Sequence, residues 1–227
     1  MPTLLQTGIY TIPEAARLTD VSPWRIRRWL RGYEFKAKHG RHRSAPVWTG
    51  QLAPIDNKLA LGFLDLLEVH SVDAFISAGV TWKTLRDAHA KARKLVGHSH
   101  PFCTHRFATD GCAIFLELRE KNAEVALWDM RDLQRVFERI IQPFLRNVEF
   151  DSGSIPHRWW PRGKGHLVAL DPSRSFGQPI VFRDGVPTQT LARSVKANGS
   201  LQEVARWFEI SESSVREAVE FEQQLAA

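Results

Sequence analysis

The chain has 227 residues, 43% of them hydrophobic and 25% charged, and a net charge of +6 at neutral pH. That length suits one large domain or two small ones. The sequence holds no apolar run able to span a bilayer and no basic-then-apolar leader, and its two cysteines, Cys103 and Cys112, exclude a disulfide framework. A cytoplasmic, reducing location is expected, with no membrane contact.

The distribution of charge says more than its sum. Residues 1–50 hold nine Lys or Arg against Glu14, Asp20 and Glu34, whereas the remainder of the chain is balanced. A positive region of this kind is the electrostatic footprint of a nucleic-acid surface.

Thr11-x-x-Glu14 is a capping box, and Pro13 is tolerated in a first turn. A short helix follows, with Ala15, Ala16 and Leu18 inward. Thr19, Asp20 and Val21 connect it to a second helix capped by Ser22, with Pro23 at its first position. Ile26, Trp29 and Leu30 recur at helical spacing and face the core, leaving Arg25, Arg27, Arg28 and Arg31 on the surface. Two short helices, a tight turn and a basic second helix make a helix-turn-helix. The plainer alternative is a helical hairpin with a solvated arginine face. Against that stands "KAKHGRHRSAPVW", in which His39-Gly40-Arg41-His42-Arg43 has the look of a basic wing tip that lies along phosphates. The candidate DNA-binding residues are Ser22, Trp24, Arg25, Arg27, Arg28, Arg31, Arg41, His42 and Arg43.

The stretch "YTIPEAARLTDVSPWRIRRWLRGYEF" resembles the DNA-binding start of MerR-type regulators. Residues 59–95 resemble the helix pair that follows the wing there, including Gly79-Val80-Thr81 before the last helix. The chain departs from that family in Arg28-Trp29, where a tyrosine pair is usual, and in lacking a long dimerising coiled coil and its sensing cysteine. The resemblance therefore implies DNA binding without metal sensing.

In "GHSHPFCTHRFATDGCAIFLEL", His98, His100, Cys103, His105 and Cys112 are close enough to raise a metal site. Neither C-x-x-C nor H-x-x-x-H spacing occurs. Asp110-Gly111 between apolar runs predicts a hairpin that makes the cysteines small apolar residues. A third strand is predicted at "EVALW". An amphipathic helix over Asp129–Ile141 then buries Leu133, Val136, Phe137 and Ile140, exposes Arg131, Asp132, Arg135, Glu138 and Arg139, and ends before Pro143. No nucleophile–base pair, carboxylate pair or phosphate loop is found, and Gly163-x-Gly165 lacks the strand and helix of a dinucleotide motif. No catalytic residue, metal or cofactor is expected.

"DSGSIPHRWWPRGKG", residues 151–165, reads as a hinge. Of the adjacent Trp159 and Trp160, one belongs in a core; the other is either an interface anchor or a cover over the domain seam. Residues 200–219, "SLQEVARWFEISESSVREAV", then align without a gap on residues 11–30 and share five identities, among them Glu203 with Glu14 and Arg216 with Arg27. The scaffold positions repeat but the surface does not. Glu212, Glu217 and Glu220 stand where the first copy has no acid, so the second copy reads as a protein-facing module, with a further DNA contact as the alternative.

Residues 169–222 resemble the domain of unknown function 433 of bacterial antitoxins. The carriers are Asp171-Pro172, Phe176-Gly177-Gln178-Pro179-Ile180, Gly185-Val186-Pro187-Thr188 and Ala218-x-x-Phe221-Glu222. A longer class joins that domain to a MerR-like half and shares "HPF", "TDG" and "RWWP". By this resemblance the chain is a VapB-type antitoxin: it represses its own operon by binding operator DNA and neutralises a PIN-like ribonuclease toxin. A toxin of that kind implies an arginine inserted among its carboxylates. The candidate toxin-binding residues are Arg158, Trp159, Trp160, Arg162, Arg174 and Arg183, with the alternative that these arginines pair local acids. A homodimer is expected through residues 166–227, using Trp207, Phe208, Val215, Val219 and Phe221 where these are not core. The other reading is a stand-alone MerR-like regulator with a ligand-binding C-terminal half.

The fold expected is mainly α, of the α+β class. It comprises a winged helix-turn-helix over 1–97, a small antiparallel sheet with a helix over 98–150, the hinge at 151–165 and a three-helix domain over 166–227.

Overall fold

The computed structural model describes residues 6–37, 40–107, 109, 111, 113, 135 and 137–226. It is an α+β structure of short helices and small antiparallel sheets, as the sequence predicts. The chain forms two compact units. One comprises Thr11–Arg146 with Phe150–Pro156; the other joins the residues up to Tyr10, Asn147–Glu149 and His157–Ala227. No helix among the described residues is long and apolar enough to cross a membrane.

The first unit opens with α1 (Ile12–Thr19) and α2 (Pro23–Arg31). Thr11 and Glu14 close the capping box, with the Thr11 N–H donating to Glu14 Oε2 at 2.7 Å. Asp20 turns the chain in the left-handed region, Val21 is buried, and Ser22 accepts from the Arg25 N–H. Ile26, Trp29 and Leu30 are buried as their spacing requires. An antiparallel hairpin follows, β1 (Tyr33–Ala37) with β2 (Gly40–Ser44). Gly32 joins α2 to this hairpin at φ 72°, and a Cβ there would collide with the Ser44 carbonyl. No other residue type fits that junction.

The long helices α3 (Phe63–Ser77) and α4 (Trp82–Val96) form the centre of this unit, α4 being capped by Thr81. Phe75, Phe102, Phe107 and Phe137 gather into one ring cluster, with Phe102 and Phe107 stacked at 4.5 Å. Burying each such ring stabilises the fold by about 1.5–3 kcal/mol.

Two predicted elements are overturned here. The described residues 105–107, 109, 111 and 113 are helical, so no hairpin turns at Asp110-Gly111. A Cβ on Gly111 would strike the Phe137 ring. The glycine provides close packing where the sequence suggested a turn, and burial of the ring cluster overrides local β preference. The predicted stop before Pro143 also fails. A wide π turn, Phe137–Ile141, leads directly into α5 (Gln142–Arg146). Pro143 therefore lies in the first turn of the new segment, where its missing N–H is not needed. Phe137 is buried and Arg135, Glu138 and Arg139 are exposed as expected, but Ile140 is exposed and Ile141 takes the inward place. The predicted strand at 124–128, together with Arg131, Asp132, Leu133, Val136 and Cys112, lies outside the described residues.

The second unit contains most of a five-stranded sheet in the order β3 (Val148–Phe150), β4 (Pro156–Trp159), β5 (Val168–Leu170), β6 (Pro179–Val181), β7 (Val186–Pro187). Antiparallel register pairs Ala169 with Ile180 and Val181 with Val186. Helices α6 (Thr188–Asn198), α7 (Leu201–Trp207) and α8 (Glu212–Ala226) bury Leu191, Val204, Val215 and Ala218 against Val181. Ser200 and Ser211 cap the last two helices, just as Thr11 and Ser22 cap α1 and α2. The N-terminal segment belongs to this unit: the Ile9 N–H donates to the Phe176 carbonyl and the Tyr10 hydroxyl to the Gly177 carbonyl at 2.7 Å.

Candidate functional site

Helix α2 turns its apolar stripe inward and presents everything basic outward. Arg27 and Arg31 are exposed, and Arg31 donates to the Asn57 carbonyl at 3.1 Å. Arg28 lies flat between two rings, 3.4 Å from the Tyr33 centroid and 4.3 Å from that of Trp24. Such stacking holds the guanidinium in place without neutralising it. Arg25 differs: its Nη1 sits 2.6 Å from Asp73 on α3, whose other oxygen accepts from Ser77. Trp24 is 61% exposed, an unusual position for an indole.

The hairpin continues this surface. Arg41, His42 and Arg43 are exposed on β2. By register Arg43 faces Glu34 and Arg41 faces Lys36, while His42 stacks on Phe35 on the opposite side of the ribbon. The base of the hairpin is tied to α4 by Arg86, which donates to Ser44 Oγ at 2.7 Å and to the Pro46 carbonyl. Among the described residues Arg27, Arg28, Arg41 and Arg43 have no carboxylate partner. Four uncompensated guanidiniums on one helix and its adjoining hairpin can engage phosphates and base edges. Sequence reasoning missed Tyr33, Asp73 and Arg86. Tyr33 follows α2 closely enough to have been found from spacing; Asp73 and Arg86 are forty or more residues from their partners and carry no local signal.

The histidine and cysteine group has other partners. His100 Nε2 lies 2.7 Å from Asp65, which also accepts from Trp48 Nε1 and from the Gln51 and Gly62 N–H groups. One turn along α3, Glu68 lies 2.9 Å from His89 Nε2 and accepts from the N–H groups of Phe102 and Cys103. Burial pushes the Cys103 thiol pKa well above its usual range, and nearby Glu68 raises it further. His98 hydrogen-bonds within its own loop and His105 packs on Phe150. Among the described residues no three His, Cys, Asp or Glu converge to hold a metal ion. Both carboxylates are fully buried and fully satisfied, and their job is to fix the loops around α3.

Of the candidate toxin-binding residues, Arg158 bridges Glu149 at 2.6 Å and Asp171 at 3.1 Å and covers the Phe182 ring at 4.1 Å. Burial raises the Asp171 carboxyl pKa, but hydrogen bonds from Ser173 and Arg158 outweigh it and hold the group below its usual value. Trp159 is core, and Trp160 is half-buried with its Nε1–H on Glu149. Arg162 reaches Glu217 and Glu220 at 3.7 Å each, Glu217 also lying 3.0 Å from His166 Nδ1. Two of the acids that distinguish the second copy are thus matched within the unit. Arg174 donates to the Phe182 carbonyl. Arg183 alone of this group is exposed, with no ion pair among the described residues.

Nearby in sequence, Ser175, Phe176 and Gly177 are consecutive left-handed residues, with φ of 46°, 54° and 81°. The Phe176 ring is 54% exposed. Non-glycine residues in that region cost about 1–3 kcal/mol each, and such strain concentrates at functional loops.

No protein-family model matches the chain. The chain is 26% identical over 222 residues to a Mycobacterium tuberculosis (strain H37Rv) protein named "Putative antitoxin VapB45", the match covering 93% of this chain and 92% of that one. Its fold is similar to the crystal structure of Rv2018 from Mycobacterium tuberculosis, with a TM-score of 0.70 at 23% identity, over 92% of this chain and 96% of the other. Both likenesses span more than nine-tenths of this chain.

Proposed function

We propose that this chain is a non-enzymatic antitoxin of a toxin–antitoxin pair, with separate surfaces for operator DNA and for toxin. The observation that carries the antitoxin reading is the likeness to "Putative antitoxin VapB45" across almost the whole of both chains. The DNA reading is supported by α1, α2 and the basic hairpin acting as a winged helix-turn-helix. Trp24, Arg25, Arg27 and Arg28 face base edges, Ser22 and Arg31 flank them, and Arg41, His42 and Arg43 lie along the backbone. The partner toxin is a PIN-like ribonuclease, contacted by the second unit. Arg183 and the Phe176 loop are the accessible elements there, while Arg158, Arg162 and Arg174 stiffen the surface behind them.

Co-expression with the adjacent small reading frame tests this directly. A stable complex that silences ribonuclease activity is expected, and Arg183→Glu with Phe176→Ser should release that activity while gel shifts on the upstream DNA stay unchanged. A neighbour that neither co-purifies nor cleaves RNA would overturn the antitoxin reading.

A further inference from the structure

Beside α2 lies a concavity of about 280 Å³ whose wall combines Trp24, Tyr33 and Trp82 with Arg25 and Arg28. Its aromatic floor is prearranged: Trp82 stacks with Trp29 at 6.2 Å, their planes 23° apart. Arg28, already held between two rings, has no carboxylate partner among the described residues. The concavity is slightly smaller than the roughly 300–1,000 Å³ usual for drug-sized ligands, so one planar ring system fills it.

We propose that this concavity binds a small planar aromatic anion, a single ring system carrying a phosphate or carboxylate. The ring stacks among Trp24 and Trp82, and the acidic group pairs with Arg28, with Arg25 exchanging from Asp73. Base-on-aromatic stacking beside guanidiniums is how proteins hold single nucleobases without reading their sequence. A nucleoside monophosphate and an aromatic carboxylate share this chemistry. Either one would occupy Trp24, Arg25 and Arg28 and so compete with the proposed DNA surface. The site itself rests on its own geometry and is tested with no DNA present.

The experiment uses the full chain with ¹⁵N-labelled tryptophan. The probes are adenosine 5′-monophosphate and indole-3-carboxylate, with adenosine, indole and ribose 5-phosphate as controls. The Trp82 indole N–H resonance, identified with W82F, should move with at least one charged aromatic probe, and the probe that moves it identifies the source. The neutral rings and the sugar phosphate should bind at least ten-fold more weakly. R28A should weaken binding at least ten-fold and R28K by less. If W82F folds poorly, R28A carries the test, since Arg28 lies on the surface of its helix: loss of the shift supports the site and an unchanged shift overturns it. No shift at about millimolar probe, or equal binding of ribose 5-phosphate or of neutral adenosine, also overturns it.

Discussion

Arg25 is the arginine of α2 that has a carboxylate at hand, and this sets it apart from Arg27 and Arg28. To contact DNA it must leave Asp73, a part-buried partner 2.6 Å away. Arg25→Ala is expected to cost about 1–3 kcal/mol of operator affinity and to relax specificity at one position. Asp73→Ala should tighten binding to all sequences, because it removes both a competitor and a negative charge. Arg43→Ala should weaken binding uniformly and reduce the salt slope by about one. Gel shifts on operator and scrambled DNA at several salt concentrations separate these outcomes. Elsewhere in the same unit, His70 stacks on Phe144 at 4.0 Å, and burial lowers its pKa from the usual 6.5 to about 4 against the opposing pull of Asp73. The unfolded chain takes up that proton first, so stability falls as pH drops from 6.5 towards 4. The loss reaches roughly 3 kcal/mol from this group. His70→Phe should flatten that part of the stability curve, measured by urea unfolding at pH 7, 5.5 and 4.5.

At the scale of elements, the helices whose ends are written locally were legible. Thr11-x-x-Glu14 and Ser22-Pro23 each cap the helix their spacing predicts, and Thr81 and Ser200 cap theirs in the same way, because a cap involves only neighbours in sequence. The turn expected at Asp110-Gly111 was a misreading, because a glycine needed for contact with the distant Phe137 ring looks in sequence like a glycine needed for a turn. The same distance hid the polar centre of α3. Nothing near Asp65 indicates that Trp48 and His100, one on either side of it in sequence, both hydrogen-bond to it. Asp65→Ala strands the donors of Trp48, Gln51, Gly62 and His100 and is expected to destabilise the first unit by about 3–5 kcal/mol. Chemical denaturation read through tryptophan fluorescence should show it as a lower midpoint. The outward arginines of α2 were legible as residues, but the pairing of Arg25 and the stacking of Arg28 were not, since neither is encoded by helical spacing.

For the whole molecule, the two copies of the repeat differ in how their charges are paired. The first copy keeps uncompensated arginines; in the second, Arg216 pairs with Glu212 while Glu217 and Glu220 face Arg162. The electrostatic field that could draw DNA therefore comes from one end of the sequence only. Of the residues expected at a dimer contact, Val215 and Phe221 are core and Phe208 and Val219 pack against it, which leaves Trp207, 59% exposed on α7. We propose that Trp207 pairs two copies. Trp207→Glu should convert a sedimenting dimer to a monomer with unchanged circular dichroism, and an unaltered sedimentation coefficient would move the contact elsewhere.

The hydrogen bond from Tyr10 to Gly177 has a consequence for synthesis. Its two ends are 167 residues apart. At about 5–20 residues per second, Gly177 is made roughly 8–33 s after Tyr10. Residues 11–146 can meanwhile collapse around their phenylalanine cluster as they leave the ribosome. The second unit draws on segments made early and late, so it closes after the first. A nascent chain stalled before Gly177 would therefore carry the basic surface of α2 and its hairpin beside an unfinished second unit, and the Tyr10 hydroxyl meets its acceptor only once Gly177 has been made.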